Sequence, residues 1–189
     1  QLKIDNGEVT GADRISKGEA VAAGEGKTVN AGTDACRVRV QVRPAPGSDI
    51  GVEVWLPRDW NGKLYGIGGA GFDGALSPGS VPMFIKSADQ GYAVVATDVG
   101  HQPGASLESW VHRQPARVID FGHRAVHETA VAAKATIATF YGTRPTRSLY
   151  ASCSTGGRIG LMQAYRYPDD YDGISALAPA NPMVRLMIM

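Results

Sequence analysis

The 189-residue sequence has few cysteines, no long apolar run and almost no excess of either charge. Its two cysteines, Cys36 and Cys153, are too few for a disulfide framework and lack metal-ligand spacing. No apolar run approaches the ~20 residues that a membrane-spanning helix needs. The formal charge of +1, from 19 basic and 18 acidic residues, argues against a nucleic-acid or membrane-surface role. We therefore expect no nucleic-acid or membrane partner, and no cofactor follows from composition.

The amino-terminal part of the sequence predicts antiparallel strands. Residues 36–42 and 50–56 alternate strictly between apolar and polar and are separated by a Pro- and Gly-rich turn, as in a hairpin with one solvated face. Residues 1–35 carry only short apolar alternations and predict an irregular or edge-strand segment. The length and the 43% hydrophobic content indicate a single domain, residues 1–189, with a substantial core.

Strands and helices alternate in the rest of the chain. Apolar runs predict strands over residues 63–67, 92–97, 147–152 and 171–178, with helices over 81–90, 119–141 and 158–167 and a polar loop over 102–117. This alternation indicates βαβ units around a parallel sheet. The predicted class is α/β, with the antiparallel hairpin preceding a mostly parallel sheet flanked by helices.

The segment from Tyr150 to Arg158 has the pattern of a nucleophile elbow. In α/β-hydrolases a serine on a sharp strand-to-helix turn projects above the sheet, and the next N–H faces the developing oxyanion. Here Ser154 is the candidate nucleophile and Thr155 the candidate oxyanion donor, with small neighbours at Ser152, Gly156 and Gly157. The alternative is a Ser/Gly turn that caps the following helix.

A second glycine-rich stretch, residues 68–74, follows the strand over residues 63–67. A phosphate-binding loop would need a Gly-Lys-Ser/Thr ending or an acidic residue at dinucleotide spacing, and neither is present. In hydrolases the loop at this point commonly supplies the second oxyanion N–H. A flexible glycine loop without chemistry remains the alternative.

Four polar side chains are further candidates. Asp98 and His101 follow the buried strand over residues 92–97, at the strand end where α/β sheets place ligand-contacting groups, although turn anchors are common there. His123 and His127 are four residues apart on the predicted long helix and could share a face as a metal pair. No third ligand is evident, so packed or solvated histidines are favoured and no metal site is predicted.

Several ordered motifs resemble the tannase and feruloyl esterase family, which includes a hydrolase of mono(hydroxyethyl) terephthalate. The resemblance covers roughly residues 36–182. The motifs lie at residues 60–63, 68–74, 91–94, 97–101, 118–127, 153–158, 167–174 and 178–180.

This resemblance implies an α/β-hydrolase that cleaves esters of aromatic acids, such as galloyl or feruloyl esters, through a Ser-Asp-His triad. It implies Ser154 as the nucleophile and the Thr155 N–H as one oxyanion donor, with Gly71, or Gly69 as second choice, as the other. Cys153 matches the cysteine that the family ties to a second cysteine beside the catalytic histidine. The resemblance also implies a secreted or periplasmic enzyme. The start at Gln1 shows no leader, and a mature secreted protein whose leader has been removed would look the same.

The sequence also departs from the family pattern. The triad Asp and His, the second cysteine, the last strands, and the lid with its calcium site would all lie beyond Met189, so this chain resembles the amino-terminal part only. None of its histidines, His101, His112, His123 and His127, matches the catalytic base, and Ser152 stands where glycine is usual.

These departures leave three hypotheses. The chain is part of an ester hydrolase, with the carboxy-terminal half or a second copy as partner; it is a non-catalytic binding module; or it is a minimal esterase that recruits a local base such as His101. We expect Cys36 and Cys153 to be free thiols rather than paired with each other.

Overall fold

The described part of the chain, residues 4–181 of this computed structural model, is built around a seven-stranded sheet with helices on both faces. The strands are β1 (Gly7–Ile15), β2 (Ala20–Ala22), β3 (Thr28–Asn30), β4 (Ala35–Val42), β5 (Ile50–Pro57), β6 (Lys63–Ile67), β7 (Ala93–Thr97), β8 (Arg147–Cys153) and β9 (Gly173–Leu177). The helices are α1 (Val81–Ala88), α2 (Leu107–Val111), α3 (Pro115–Ile119), α4 (Ala125–Tyr141) and α5 (Thr155–Arg166), with a 3₁₀ turn at Pro78–Ser80 and a π-helical turn at Asp120–Arg124.

The strand order β1-β4-β5-β7-β6-β8-β9 combines a parallel and an antiparallel part. Strands β7, β6, β8 and β9 pair in parallel, and β5, β4 and β1 are added antiparallel at the β7 side. The predicted hairpin is present, with Val38 of β4 opposite Val54 of β5. The expected solvated face is wrong for β5, where Glu53 and Trp55 are also buried, because α1 packs on Trp55 from the second face. The predicted α/β-hydrolase-type class is confirmed, and the carboxyl ends of the parallel strands lie at one edge, where β8 runs into α5.

Two apolar clusters hold the helices on the sheet. Alternate residues of β4, β5 and β7 pack on α4 and α5 on one face, and their neighbours pack on α1 on the other. Every residue of β7 is buried, as its continuous apolar run predicts for a strand covered on both faces. Burial of this surface on both sides is the main stabilising contribution to the sheet.

The segment before β4 lies along one edge of the sheet. Strand β1 pairs antiparallel with β4, with a register shift between Val9 and Gly11, and β2 and β3 form a separate two-stranded hairpin. The irregularity in β1 is typical of edge strands.

Helix boundaries differ from the sequence prediction. The polar loop predicted over residues 102–117 contains α2 and most of α3, and Trp110 of α2 is buried. The long helix predicted over 119–141 is interrupted by the π-helical turn, and Ile119, at its predicted start, is exposed. Within α4, Val126, Ala130, Ala133 and Ile137 are buried at helical spacing, whereas Phe140 is exposed. Gly142 ends α4 in the left-handed conformation.

None of the helices within residues 4–181 combines the length and apolar character required to cross a bilayer.

Candidate active site

Ser154 occupies the sharp turn between β8 and α5. Its backbone has φ 58° and ψ −124°, a conformation that non-glycine residues rarely adopt. Three backbone hydrogen bonds hold the turn: the Ser154 N–H donates to the Leu177 carbonyl at 3.1 Å, and its carbonyl accepts from the N–H groups of Arg158 and Ala180, each at 3.0 Å. The Ser154 side chain is exposed. The predicted strand–turn–helix arrangement is present, although α5 begins at Thr155 rather than at Arg158.

Small residues let the turn pack against the glycine-rich loop. A Cβ on Gly156 would overlap the Ser152 Oγ and lie 3.0 Å from the Gly69 carbonyl oxygen. The Gly156 N–H donates to that Gly69 oxygen at 3.0 Å, and the Ser152 hydroxyl donates to the Gly68 carbonyl at 3.2 Å. Ser152, where the family usually has glycine, therefore fills the space left by Gly156 and adds a bond to the loop.

Two further hydrogen bonds hold the turn, one to the glycine-rich loop and one to β8. The Thr155 hydroxyl donates to the Gly71 carbonyl, and the Tyr150 hydroxyl donates to the Gly156 carbonyl at 2.8 Å. Burial raises the pKa of Tyr150, which keeps this hydroxyl protonated as a donor. Gly71 has φ 61°, which glycine adopts without strain. Within residues 4–181 the backbone N–H groups of Thr155 and Gly71 donate to no protein acceptor.

Ser154 opens into a cleft of about 520 Å³, hereafter the Ser154 cleft. Its size lies within the range typical of small-molecule sites. Tyr65, Met83 and Leu177 provide apolar walls, and Asp73 and Ser77 provide polar groups. Cys153, Ser152 and residues 68–70, 73 and 74 of the glycine-rich loop complete the lining, which includes Gly69 but neither Gly71 nor Thr155.

Asp98 is a structural anchor outside this cleft. Its Oδ1 accepts the N–H groups of Gly51 at 2.9 Å and Gly100 at 2.8 Å, which ties the end of β7 to the start of β5. Burial raises its pKa to about 7, against the lowering effect of the two N–H donors. Asp98 lines a separate cleft with Arg39. The structure does not bring Asp98 to Ser154, and the turn-anchor alternative describes its contacts.

His101 lies behind the glycine-rich loop. Its ring is buried, stacks on Trp110 with centroids 4.0 Å apart, and has its Nε2 3.8 Å from Oδ1 of Asp73. Burial lowers the pKa of His101, and Asp73 opposes this shift. His101 is not among the residues that line the Ser154 cleft, whereas Asp73 is. Sequence reasoning did not single out Asp73, and its position within the glycine-rich loop was the available signal.

His123 and His127 bind protein side chains. The Nδ1 of His123 is 2.7 Å from the Tyr167 hydroxyl, and the Nδ1 of His127 is 2.9 Å from Asp170 Oδ2, with its ring stacked on Tyr167. These contacts match the packed alternative. Among residues 4–181, no group of three or more His, Cys, Asp or Glu side chains is arranged to hold a metal ion.

The two cysteines of the chain lie far apart in the fold, on β4 and at the end of β8, and both are free thiols. No disulfide is present within residues 4–181, and the tie that the family resemblance implies for Cys153 involves a cysteine outside this chain.

Comparisons with known proteins place this chain in one family. The family model described as tannase and feruloyl esterase matches residues 36–189. The chain is 37% identical to the probable feruloyl esterase B-2 of Aspergillus flavus over 147 residues, which is 78% of this chain and 27% of that protein. It is 32% identical to feruloyl esterase B of Aspergillus niger over 195 residues, 99% of this chain and 36% of that protein.

Solved structures agree with the sequence relatives. An esterase from Aspergillus oryzae superposes with a TM-score of 0.84 and 30% identity, covering 98% of this chain and 37% of its own. Feruloyl esterase B from the same organism gives a TM-score of 0.88 at 28% identity, covering 98% and 36%. The chain thus spans about a third of the length of the relatives it matches. It belongs to the tannase and feruloyl esterase family.

Proposed function

We propose that this chain carries the nucleophile and the oxyanion hole of a serine carboxylesterase that acts on esters of aromatic acids. The observation that supports this most is Ser154 itself, an exposed serine held in a strained turn above a cleft of about 520 Å³. Strain at a surface residue that several hydrogen bonds maintain is typical of functional sites. Family membership supports carboxylic ester hydrolysis as the reaction.

In the proposed mechanism the Ser154 oxygen attacks the ester carbonyl while a histidine takes its proton. The carbonyl oxygen becomes an oxyanion, which accepts hydrogen bonds from the Thr155 N–H and the N–H of Gly71, with Gly69 as second choice. Collapse expels the alcohol and leaves an acyl-enzyme, and water then releases the aromatic acid. The bond between the Thr155 hydroxyl and the Gly71 carbonyl supports this pairing, because it holds both donors in one unit.

The base and its aspartate are proposed to come from polypeptide outside these 189 residues. Supporting this, the chain spans about a third of its relatives, and His101 is buried against Trp110 and does not line the Ser154 cleft. The family resemblance likewise supports a Cys153 disulfide to the base region, a calcium-bearing lid and a secreted or periplasmic location. Without the base, only a residual acceleration of roughly 10³ to 10⁴-fold over water remains, so the 189-residue chain alone should be a poor esterase.

Ester hydrolysis by the natural protein tests the proposal. Its intact mass is compared with the 19.9 kDa of this chain, and hydrolysis of methyl ferulate and methyl gallate is measured for the wild type and for Ser154→Ala. Replacement of the nucleophile should lower kcat by about 10⁴-fold or more. The matched control is Ser152→Ala, which removes a hydroxyl two residues away in the same cleft and should cost less than tenfold.

Two results would contradict the proposal. Retention of substantial turnover by Ser154→Ala would exclude Ser154 as the nucleophile. Failure of Ser154 to react with a fluorophosphonate in the natural protein would favour a non-catalytic binding module. Ester turnover by the 189-residue chain that disappears in His101→Ala would instead establish a local base.

A further inference from the structure

A second cleft lies at the opposite end of the strands from the elbow. Strand β5 runs antiparallel to β7, with Val52 opposite Thr97. The start of β5 therefore lies near the carboxyl ends of the parallel strands, and the end of β5 lies near their amino-terminal ends. There the end of β5, the start of β4 and the last turn of α4 enclose about 500 Å³, with Cys36 and Leu56 in the lining. We call it the Phe140 cleft. Its remoteness from Ser154 means that the proposed ester chemistry does not use it.

The wall of this cleft is a rigid aromatic corner. Phe140 is 51% exposed, and its ring meets Tyr141 edge-on, with centroids 4.9 Å apart and planes at 84°. Tyr141 is fixed because its hydroxyl donates to the Pro57 carbonyl and its ring stacks on Trp60 at 4.2 Å. An apolar ring half exposed beside a fixed neighbour provides a face on which a flat aromatic ligand can stack without reorganising the protein.

The rim of the cleft is cationic. Arg14 and Arg58 both face Asp34, with guanidinium nitrogens 3.9 and 3.5 Å from its Oδ2, and both side chains are 76% exposed. Within residues 4–181, Asp34 is the acidic group within 4 Å of either arginine, and its Oδ1 already accepts the Lys17 N–H at 2.9 Å. Two guanidinium groups that share one carboxylate leave a net positive charge and unused donors suited to a further carboxylate.

From these observations we propose that the Phe140 cleft binds a small aryl carboxylate, with its ring on Phe140 and its carboxylate on the guanidinium donors of Arg14 and Arg58 that Asp34 leaves unpaired. The apolar wall alone would accept any hydrophobic group, and the arginines alone any anion; together they select a ligand with both features. The proposal does not depend on esterase activity, because none of the residues that form the cleft contributes to the Ser154 site.

Cys36 allows ligand occupancy of the Phe140 cleft to be measured, and Cys153 reports on the Ser154 cleft separately. Cys36 lies in the Phe140 cleft and Cys153 in the Ser154 cleft, and both are free thiols. The 189-residue Ser154→Ala chain is alkylated with iodoacetamide at pH 8.5, and each thiol's rate is followed by peptide mass spectrometry. With a dissociation constant on the order of 1 mM, cinnamate at about 10 mM should slow Cys36 about tenfold by occupancy. Slowing of Cys153 would report occupancy of the Ser154 cleft, which the proposed function itself assigns to aromatic acids.

Chemical analogues and variants separate the two contributions. Cinnamamide keeps the ring without the charge and propionate keeps the charge without the ring, so neither should protect Cys36. Protection by cinnamate should disappear in Arg14→Gln/Arg58→Gln and in Phe140→Ala. It should persist in Arg147→Gln, an exposed arginine beside a single aspartate elsewhere on the surface. The urea midpoint of each variant, compared with that of the parent chain, shows that the fold is retained.

The proposal is overturned if cinnamate does not slow Cys36, if either analogue protects Cys36 as well, or if the arginine variant or the Phe140 variant is still protected. Should Cys36 react too slowly to time, a ¹⁵N–¹H titration with cinnamate replaces the labelling. The amide signals of Phe140, Tyr141 and Arg58 should then shift, and those of Phe140 and Tyr141 should no longer shift in Arg14→Gln/Arg58→Gln. The absence of such shifts in the parent chain at about 10 mM cinnamate, tenfold above the expected dissociation constant, is equally decisive.

Discussion

The strain at Ser154 predicts that glycine will be more stabilising than alanine at this position. The φ of 58° and ψ of −124° place the residue in a region that costs side-chain-bearing residues about 1 to 3 kcal/mol. Both Ser154→Gly and Ser154→Ala remove the hydroxyl, so their difference isolates the backbone. Glycine adopts this backbone conformation without strain, but the greater freedom of its unfolded chain lowers the free energy of unfolding by about 0.5 to 1 kcal/mol. We expect Ser154→Gly to exceed Ser154→Ala in free energy of unfolding by about 1 kcal/mol.

Equilibrium urea unfolding of the 189-residue chain, followed by far-ultraviolet circular dichroism, measures this difference. With a slope of about 2.5 kcal/mol/M, 1 kcal/mol separates the two midpoints by about 0.4 M. The matched control is Ser87, which lies within α1 in ordinary helical backbone. There the order should reverse, with Ser87→Gly less stable than Ser87→Ala by about 0.5 to 1 kcal/mol. If alanine is as stable as glycine at position 154, the turn is not strained and the reasoning fails.

Three other predictions each concern one contact in the fold and are measured by urea unfolding. Gly156→Ala should lower the free energy of unfolding by about 2 kcal/mol or more through overpacking against Ser152. Adding Ser152→Gly to this variant should restore about 1 kcal/mol or more. If the effects of the two substitutions simply add, the two residues are not in contact. For Asp98, whose folded pKa is raised to about 7, stability should fall as pH rises from about 4 to 7, by up to about 4 kcal/mol. Asp98→Asn should flatten this slope, and an unchanged slope would show that Asp98 is not its source. Arg124→Leu leaves the fully buried Asp120 without its 2.6 Å ion pair and should cost about 3 to 5 kcal/mol; a loss below about 1 kcal/mol would contradict the assigned burial.

Much of the fold could be predicted because its signals are local. Alternation predicted the β4–β5 hairpin, and the continuous apolar run predicted β7. The burial of β5 on both faces was not predicted, because it results from the packing of α1 on Trp55, a tertiary contact. The π-helical turn at Asp120–Arg124 was missed because a stripe with a period of 3.6 residues contains no sign of a locally wider turn. Helices α2 and α3 were missed because each has only five residues, and the burial of Trp110 against His101 is a tertiary effect.

The features of the site likewise divide into those with a local sequence signal and those that depend on tertiary contacts. The sharp turn at Ser154 could be predicted because adjacent small residues define it. Asp98 was harder to interpret, because the Gly51 N–H that it accepts lies 47 residues earlier in the chain and nothing in the sequence marks the pairing. Ser152 departs from the family pattern, and the sequence does not show that its hydroxyl donates to the Gly68 carbonyl and connects the turn to the glycine-rich loop.

The elbow can be assembled without the base that would activate it, because every described contact that holds Ser154 belongs to this chain. Leu177, the last residue of β9, and Ala180 hold its N–H and carbonyl, and the glycine-rich loop holds Thr155 and Gly156. Backbone strain of about 1 to 3 kcal/mol is small beside several hydrogen bonds and the burial of α5 on the sheet, so it does not require a histidine to offset it. A base supplied by another part of the polypeptide would therefore meet a nucleophile that is already positioned. The strain difference between glycine and alanine at position 154 should accordingly be measurable in this chain alone, independently of any esterase activity.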